Sequence, residues 1–161
     1  MAKTKLFDAF LETDSPSPPS DPFDISAADV TPTHFSGGRK VPNQFATIAT
    51  ANKLAIIGEA PGADEERAGI PFIGMSGRVL DQLLSRNNAL RASVFVGNIC
   101  QIRPPGNDIS KFADNGPELS EGLEQLRHDL AEFNPNVCLL LGRTALYAAK
   151  GTRAIGDWRG S

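Results

Sequence analysis

Three short apolar runs, each closed by a small or polar residue, constrain this chain more than anything else in it. They are "KLAIIG" at 53–58, "SVFVGN" at 93–98 and "NVCLLLG" at 136–142. None alternates apolar with polar residues, so each reads as a strand buried on both faces. Amphipathic stretches lie between and after them. "SGRVLDQLLSR" (76–86) carries Val79, Leu80, Leu83 and Leu84 at helical spacing, with Ser76 as the expected N-cap. "PELSEGLEQLRHDLAEF" (117–133) opens on Pro117, has acids in its first turn and repeats Leu119, Leu123, Leu126, Leu130 and Phe133. "RTALYAA" (143–149) begins a third helix. Strands alternating with helices predict a three-layer α/β/α domain on a short, mostly parallel sheet. Ligands of such sheets sit beyond the carboxyl ends of the strands. Here those ends are Gly58-Glu59, Gly97-Asn98 and Gly142-Arg143.

A chain of 161 residues suits one domain. Residues 1–50 read as a flexible extension rich in proline, serine and aspartate. "TDSPSPPSDPFDISAADVTPTHFSGGRKVPN" (13–43) cannot bury enough apolar surface to offset its ordering entropy. Leu6, Phe7, Phe10 and Leu11 have helical spacing and fit either a docking segment or a frayed terminus. Residues 51–161 read as the folded domain. Sixteen Lys and Arg against nineteen Asp and Glu give a net charge of −3, so binding to a polyanion must rest on a local basic patch and positioned amides. Two cysteines, Cys100 and Cys138, form no CxxC pair, which argues against a disulfide framework or a metal site built from this chain and fits a reducing cytoplasm. The start, Met1-Ala2-Lys3-Thr4-Lys5, runs into a mixed segment and does not read as a signal peptide. No apolar run has the length of a membrane span.

The loop after the first run, "GEAPGADEERAGIPFIG" (58–74), brings carboxylates where a phosphate cradle brings a lysine. It is neither a P-loop nor a dinucleotide fingerprint: no Lys follows its second glycine, and Gly58 and Gly62 have the wrong spacing. Gly74-Met75-Ser76-Gly77 feeds a helix start whose amides suit an anion, a weak signal taken alone. Asp64, Glu65 and Glu66 read as a solvated face.

Three stretches taken together resemble a known family. "GEAPGADEERAGIPFIGMSGRVLDQLL" (58–84), "VFVGNICQIRPPGN" (94–107) and "NPNVCLLLGRTAL" (134–146) are similar, in order and spacing, to motifs of the family 4 type uracil-DNA glycosylases. The likeness covers residues 54–147 and extends to the glycosylase-like domain joined to certain bacteriophage DNA polymerases. It implies a four-stranded parallel sheet and a DNA-repair hydrolase that cleaves the N-glycosidic bond of a flipped uracil, with uracil-containing DNA as partner. The alternative it leaves is a non-catalytic DNA-binding or scaffolding module of a phage-type polymerase.

By that resemblance Glu59 activates water and offsets charge on the sugar, Phe72 stacks on the uracil, and Asn98 reads its O4 and N3 edge. Gly58, Pro61 and Gly62 bring backbone close to sugar and base, while Ser76, Gly77, Arg78 and Arg103 are the phosphate candidates. Each position also has a plainer reading. Glu59 can bind loop amides, Phe72 can anchor the loop in the core, Asn98 can make an Asx turn, and Arg78 can be simply solvated.

The pattern departs from the family in two places. Family 4 enzymes hold a four-cysteine iron–sulfur cluster, with two ligands near the N-terminus and a third just before the Arg-Pro-Pro. Residues 1–53 here contain no cysteine and Ile102 takes the third position, so the expectation is no metal and no cofactor. The family also carries a late His-Pro-Ser-like motif after a fourth strand, whose histidine stabilises the departing anion. This chain ends at "GDWRGS", and His34 and His128 do not match that motif. The expectation is therefore a C-terminally incomplete domain lacking its last strand, with a second polypeptide or a DNA polymerase completing it, and with catalysis left open.

Overall fold

The structure, a computed structural model, describes residues 38–113 and 116–150. The three apolar runs form β1 (Leu54–Gly58), β2 (Val94–Asn98) and β3 (Val137–Leu140). Four α-helices accompany them: α1 (Ala63–Ala68), α2 (Met75–Arg86), α3 (Pro117–Phe133) and α4 (Arg143–Lys150). The strands make one parallel sheet in the order β2-β1-β3, with Leu54 opposite Val94 on one side and Val137 on the other. The expected α/β architecture is the observed one.

Successive side chains of β1 leave opposite faces of the sheet, and both faces are covered. Ala55 and Ile57, with Phe95, pack against Leu126, Leu130 and Phe133 of α3 and Ala145 and Ala149 of α4. Ile56, with Val94 and Val96, packs against Leu80 and Leu84 of α2 and against Phe72. That is why β1 and β2 are apolar throughout, and each fully buried isoleucine contributes about 1.5–3 kcal/mol. The third run departs from the expectation of a strand buried on both faces: β3 lies at the edge of the described sheet and leaves Val137 57% and Leu139 46% exposed. From β1 the chain steps to β2 on one side, then back past β1 to β3 on the other. Crossovers of one hand that step in opposite directions put their helices on opposite faces, which is the arrangement of α2 and α3. Connections leaving neighbouring strands for opposite faces open a crevice beyond the carboxyl end of β1.

Helix α3 spans the residues its periodicity predicts. It stops where Asn134 turns to φ 51° and its amide closes on the Leu130 carbonyl at 2.8 Å. Helix α2 differs at its start, because Gly74 and not Ser76 is the N-cap. No side chain caps its first turn; the carboxylate of Glu65 instead accepts from the amides of Ile73 (3.1 Å) and Gly74 (2.8 Å), just ahead of the helix. Only part of the expected stripe is buried: Leu80 and Leu84 are in the core, whereas Val79 and Leu83 stay half exposed.

The flexible extension expected over residues 1–50 has a packed final part. Val41 is buried and donates to the Gln101 carbonyl at 2.8 Å. Gln44 exchanges two backbone bonds with Val96, at 2.8 and 2.9 Å, in an isolated antiparallel bridge. Phe45 meets the rings of Phe95 and Phe133 edge-on, with centroids 5.2 and 6.3 Å away. This strap covers the outer edge of β2, a row of groups that would otherwise lack partners. Composition hides it because Val41 and Phe45 stand singly among polar residues. Leu6, Phe7, Phe10, Leu11 and His34 lie outside the described residues, as do Asp114 and Asn115. Among the described residues no helix is long and apolar enough to cross a membrane.

Candidate active-site cleft

A cleft of about 410 Å³ opens at the crevice, lined among others by Glu59, Pro61, Gly62, Phe72, Ser76 and Asn98. Glu59 directly follows the last residue of β1, and Asn98 is the last residue of β2, paired across the sheet with Gly58. Phe72 comes from the loop between α1 and α2, not from a strand tip. A Cβ added at Gly58 would lie 2.5 Å from Cζ of Phe72 and 2.7 Å from Oδ1 of Asn98. Glycine at the β1 tip is thus what lets ring and carboxamide close on one point.

Phe72 sits at φ 54°, a left-handed conformation that costs a non-glycine residue about 1–3 kcal/mol. The surroundings hold it there. Arg91 donates to the carbonyls of Phe72 (2.8 Å) and Pro71 (2.6 Å) and pairs with Asp81 at 3.0 Å. Gly77 lies beneath the Phe72 carbonyl, where any Cβ would collide with it. From the other end, Glu65 accepts from the amides of Gly62 (3.1 Å), Ile73 and Gly74. Glu65 is 6% exposed, so Asp64, Glu65 and Glu66 do not share one solvated face. Three amide hydrogen bonds to one side chain lock the loop.

Asn98 is 3% exposed, its backbone N–H taken by Oδ1 of Asn43 at 3.2 Å, and its carboxamide makes no hydrogen bond among the described residues. That leaves a donor and an acceptor facing the cleft with no protein partner. Asn43 is itself held by the carboxylate of Asp129 at 2.8 Å, which ties the strap to α3. Oε2 of Glu59 accepts from the Thr144 hydroxyl at 2.5 Å, and Oε1 has no protein partner among the described residues.

Among the phosphate candidates, Ser76 and Arg78 are exposed in the first turn of α2, and Ser76 lines the cleft. Gly77 is buried against the loop. Arg103 is half-buried and already engaged, with Nε on Oδ1 of Asn107 at 2.7 Å and a guanidinium nitrogen 3.3 Å from Glu66. Sequence reasoning missed Asn43, Glu65, Arg91 and Thr144. Only Glu65 had a local signal, its capping-box spacing from Gly62.

No group of three or more His, Cys, Asp or Glu among the described residues is disposed to hold a metal ion. The four-thiolate cluster implied by the resemblance does not fit this chain, which has two cysteines. Burial pushes the Cys100 and Cys138 thiols up to about 11, and Cys100 donates to the Ile102 carbonyl at 3.2 Å. Both are neutral thiols rather than thiolate ligands at neutral pH.

Fold and cleft define an α/β domain whose crevice gathers an aromatic ring, a carboxamide and a carboxylate at the strand ends. Comparison with known proteins gives that class its family. The Uracil DNA glycosylase superfamily model matches residues 45–160, and the chain belongs to that superfamily. It is 37% identical over 112 residues to a type-4 uracil-DNA glycosylase of Pyrobaculum aerophilum, covering 66% of this chain and 55% of the relative. It is 36% identical over 94 residues to that of Archaeoglobus fulgidus, covering 58% and 45%. With that of Thermotoga maritima it shares 33% over 95 residues, covering 58% and 47%. The chain spans about half the length of the curated relatives it matches. Each of these is named for the glycosylase alone, so the polymerase-associated reading gains nothing from them.

Proposed function

We propose that this chain is a uracil-DNA glycosylase domain, which acts on uracil-containing DNA and hydrolyses the bond between uracil N1 and the deoxyribose C1′. One observation carries the reading: Phe72 and Asn98 converge on Gly58, beside Glu59, in a single cleft. Extruding the nucleotide costs a few kcal/mol, and stacking on Phe72 returns about 1–3 kcal/mol of it. The Asn98 carboxamide matches the O4 acceptor and N3–H donor of uracil. Cytosine, with a donor at C4 and an acceptor at N3, would need the amide reversed.

In the reaction the C1′–N1 electron pair leaves with the base as an N1 anion, and the sugar becomes oxocarbenium-like. Glu59 offsets that charge and orients a water. The water oxygen bonds to C1′ as its proton passes to the carboxylate and on to solvent, and the uracil anion takes up a proton in turn. Ser76 and Arg78, exposed at the start of α2, fit a DNA phosphate beside the cleft.

The test is excision from a single-stranded oligonucleotide with one uracil, read as alkali-labile sites, for wild type, Glu59→Ala and Asn98→Ala. Loss of cleavage in both variants is the expected result. Cleavage that ignores both substitutions would overturn the site, and binding without cleavage by the wild-type chain would make it a DNA-holding module.

A further inference from the structure

We infer that Thr144 is a positioning residue for Glu59, one that fixes which carboxylate oxygen faces the substrate. The inference rests on the glycosylase reading and adds to it a residue from the third strand's connection. The register of the sheet brings the two together. Ile57 pairs with Leu140, and the Leu141 amide donates to the Ile57 carbonyl at 2.8 Å, so β1 and β3 end side by side. Gly142 then takes φ +93°, a conformation a side chain would strain, and turns the chain straight into α4. The Leu146 amide closes the first turn on the Gly142 carbonyl at 3.2 Å. Thr144, in that turn, is carried back over the tip of β1.

The contact is specific. The Thr144 hydroxyl donates to Oε2 of Glu59 at 2.5 Å across 85 residues of chain, and both side chains are half-buried. No other hydrogen bond to the Glu59 carboxylate occurs among the described residues. A glutamate with three side-chain torsions at a loop start samples many orientations. One bond to Oε2 removes most of that freedom and leaves Oε1 for the nucleophilic water.

The experiment uses the full chain and single-turnover excision from a uracil-containing single strand, with oligonucleotide affinity by anisotropy and melting temperature measured alongside. Thr144→Val, nearly isosteric, should slow the chemical step roughly tenfold to a hundredfold, the scale of a misplaced catalytic group, while affinity stays within about twofold. Thr144→Ser should restore most of the rate. In a Glu59→Gln background Thr144→Val should add little, because the residue acts through that carboxylate. A Thr144→Val chain as fast as wild type, with Glu59→Gln slow, overturns the inference and leaves the glycosylase reading standing. A Thr144→Val defect that persists undiminished in the Glu59→Gln background, or that serine fails to rescue, overturns it as well. A wild-type chain that excises nothing overturns both.

Discussion

The sheet has a hollow at each end, and the two differ less in size than in what their polar groups are doing. At the carboxyl end lies the cleft of about 410 Å³ around Glu59, Phe72 and Asn98. At the amino end a groove of about 290 Å³ runs between the strap and the end of α3, lined by Phe45, Ile48, Lys53, Glu132 and Phe133. In the groove Lys53 is held by the protein: its Nζ donates to the Phe133 carbonyl at 2.9 Å and sits 5.4 Å from that ring's centroid, while its amide donates to Oδ1 of Asn136 at 2.8 Å. In the cleft the Asn98 carboxamide and one Glu59 oxygen have no protein partner among the described residues. Volume does not separate a site from a packing gap; what sets the cleft apart is that a carboxamide and a carboxylate oxygen at neighbouring strand tips keep hydrogen-bonding capacity that a ligand can use. The surroundings agree, since the cleft loop is braced from both ends by Glu65 and Arg91.

Substitutions can break or sharpen this contrast, and the largest effect belongs to the chemistry of the cleft. Glu59→Ala should lower single-turnover excision by about a hundredfold or more with little change in melting temperature. Gly58→Ala should follow, abolishing uracil binding by filling the point where Phe72 and Asn98 meet, as read by anisotropy with a uracil-containing strand. Glu65→Ala should cost about 3 kcal/mol in urea unfolding and weaken binding as well, because three amides lose one acceptor and Phe72 loses its brace. Lys53→Ala, at the other hollow, should cost about 1 kcal/mol of stability and leave excision unchanged. If Lys53→Ala slowed excision as much as Gly58→Ala, the distinction between the two hollows would fail.

The smallest effect is a pH dependence. The Cys100 and Cys138 thiols go from 9.0 to about 11 on burial, so the unfolded chain ionises them first. The stability they carry is complete below pH 9 and is lost progressively as pH rises from 9 toward 11, chiefly through the fully buried Cys100. The urea midpoint should fall across that window in wild type and fall less in a Cys100→Ala, Cys138→Ala chain.

Much of the fold is legible without coordinates. The apolar runs of β1 and β2 report strands covered on both faces, the same reading fails for the edge strand β3, and Pro117 together with the leucine repeat marks α3 to the residue. The acid at the β1 tip and the amide at the β2 tip are visible as polar ends of buried strands, and the motif likeness adds Phe72. These features are local: periodicity reports which side of an element is dry, and a strand end reports where its chain meets solvent.

What the chain alone could not convey is everything set by strand order. Nothing near Thr144 says that it reaches Glu59, nothing near Asn43 says that it holds the β2 tip, and Arg91 looks like any exposed arginine until Phe72 needs its carbonyl held. Glu65 reads as one of three surface acids until the loop folds over it. Short-range sequence encodes burial and turn chemistry. A hydrogen bond between residues 85 apart exists only because β3 pairs with β1, and that pairing is a property of the assembled sheet.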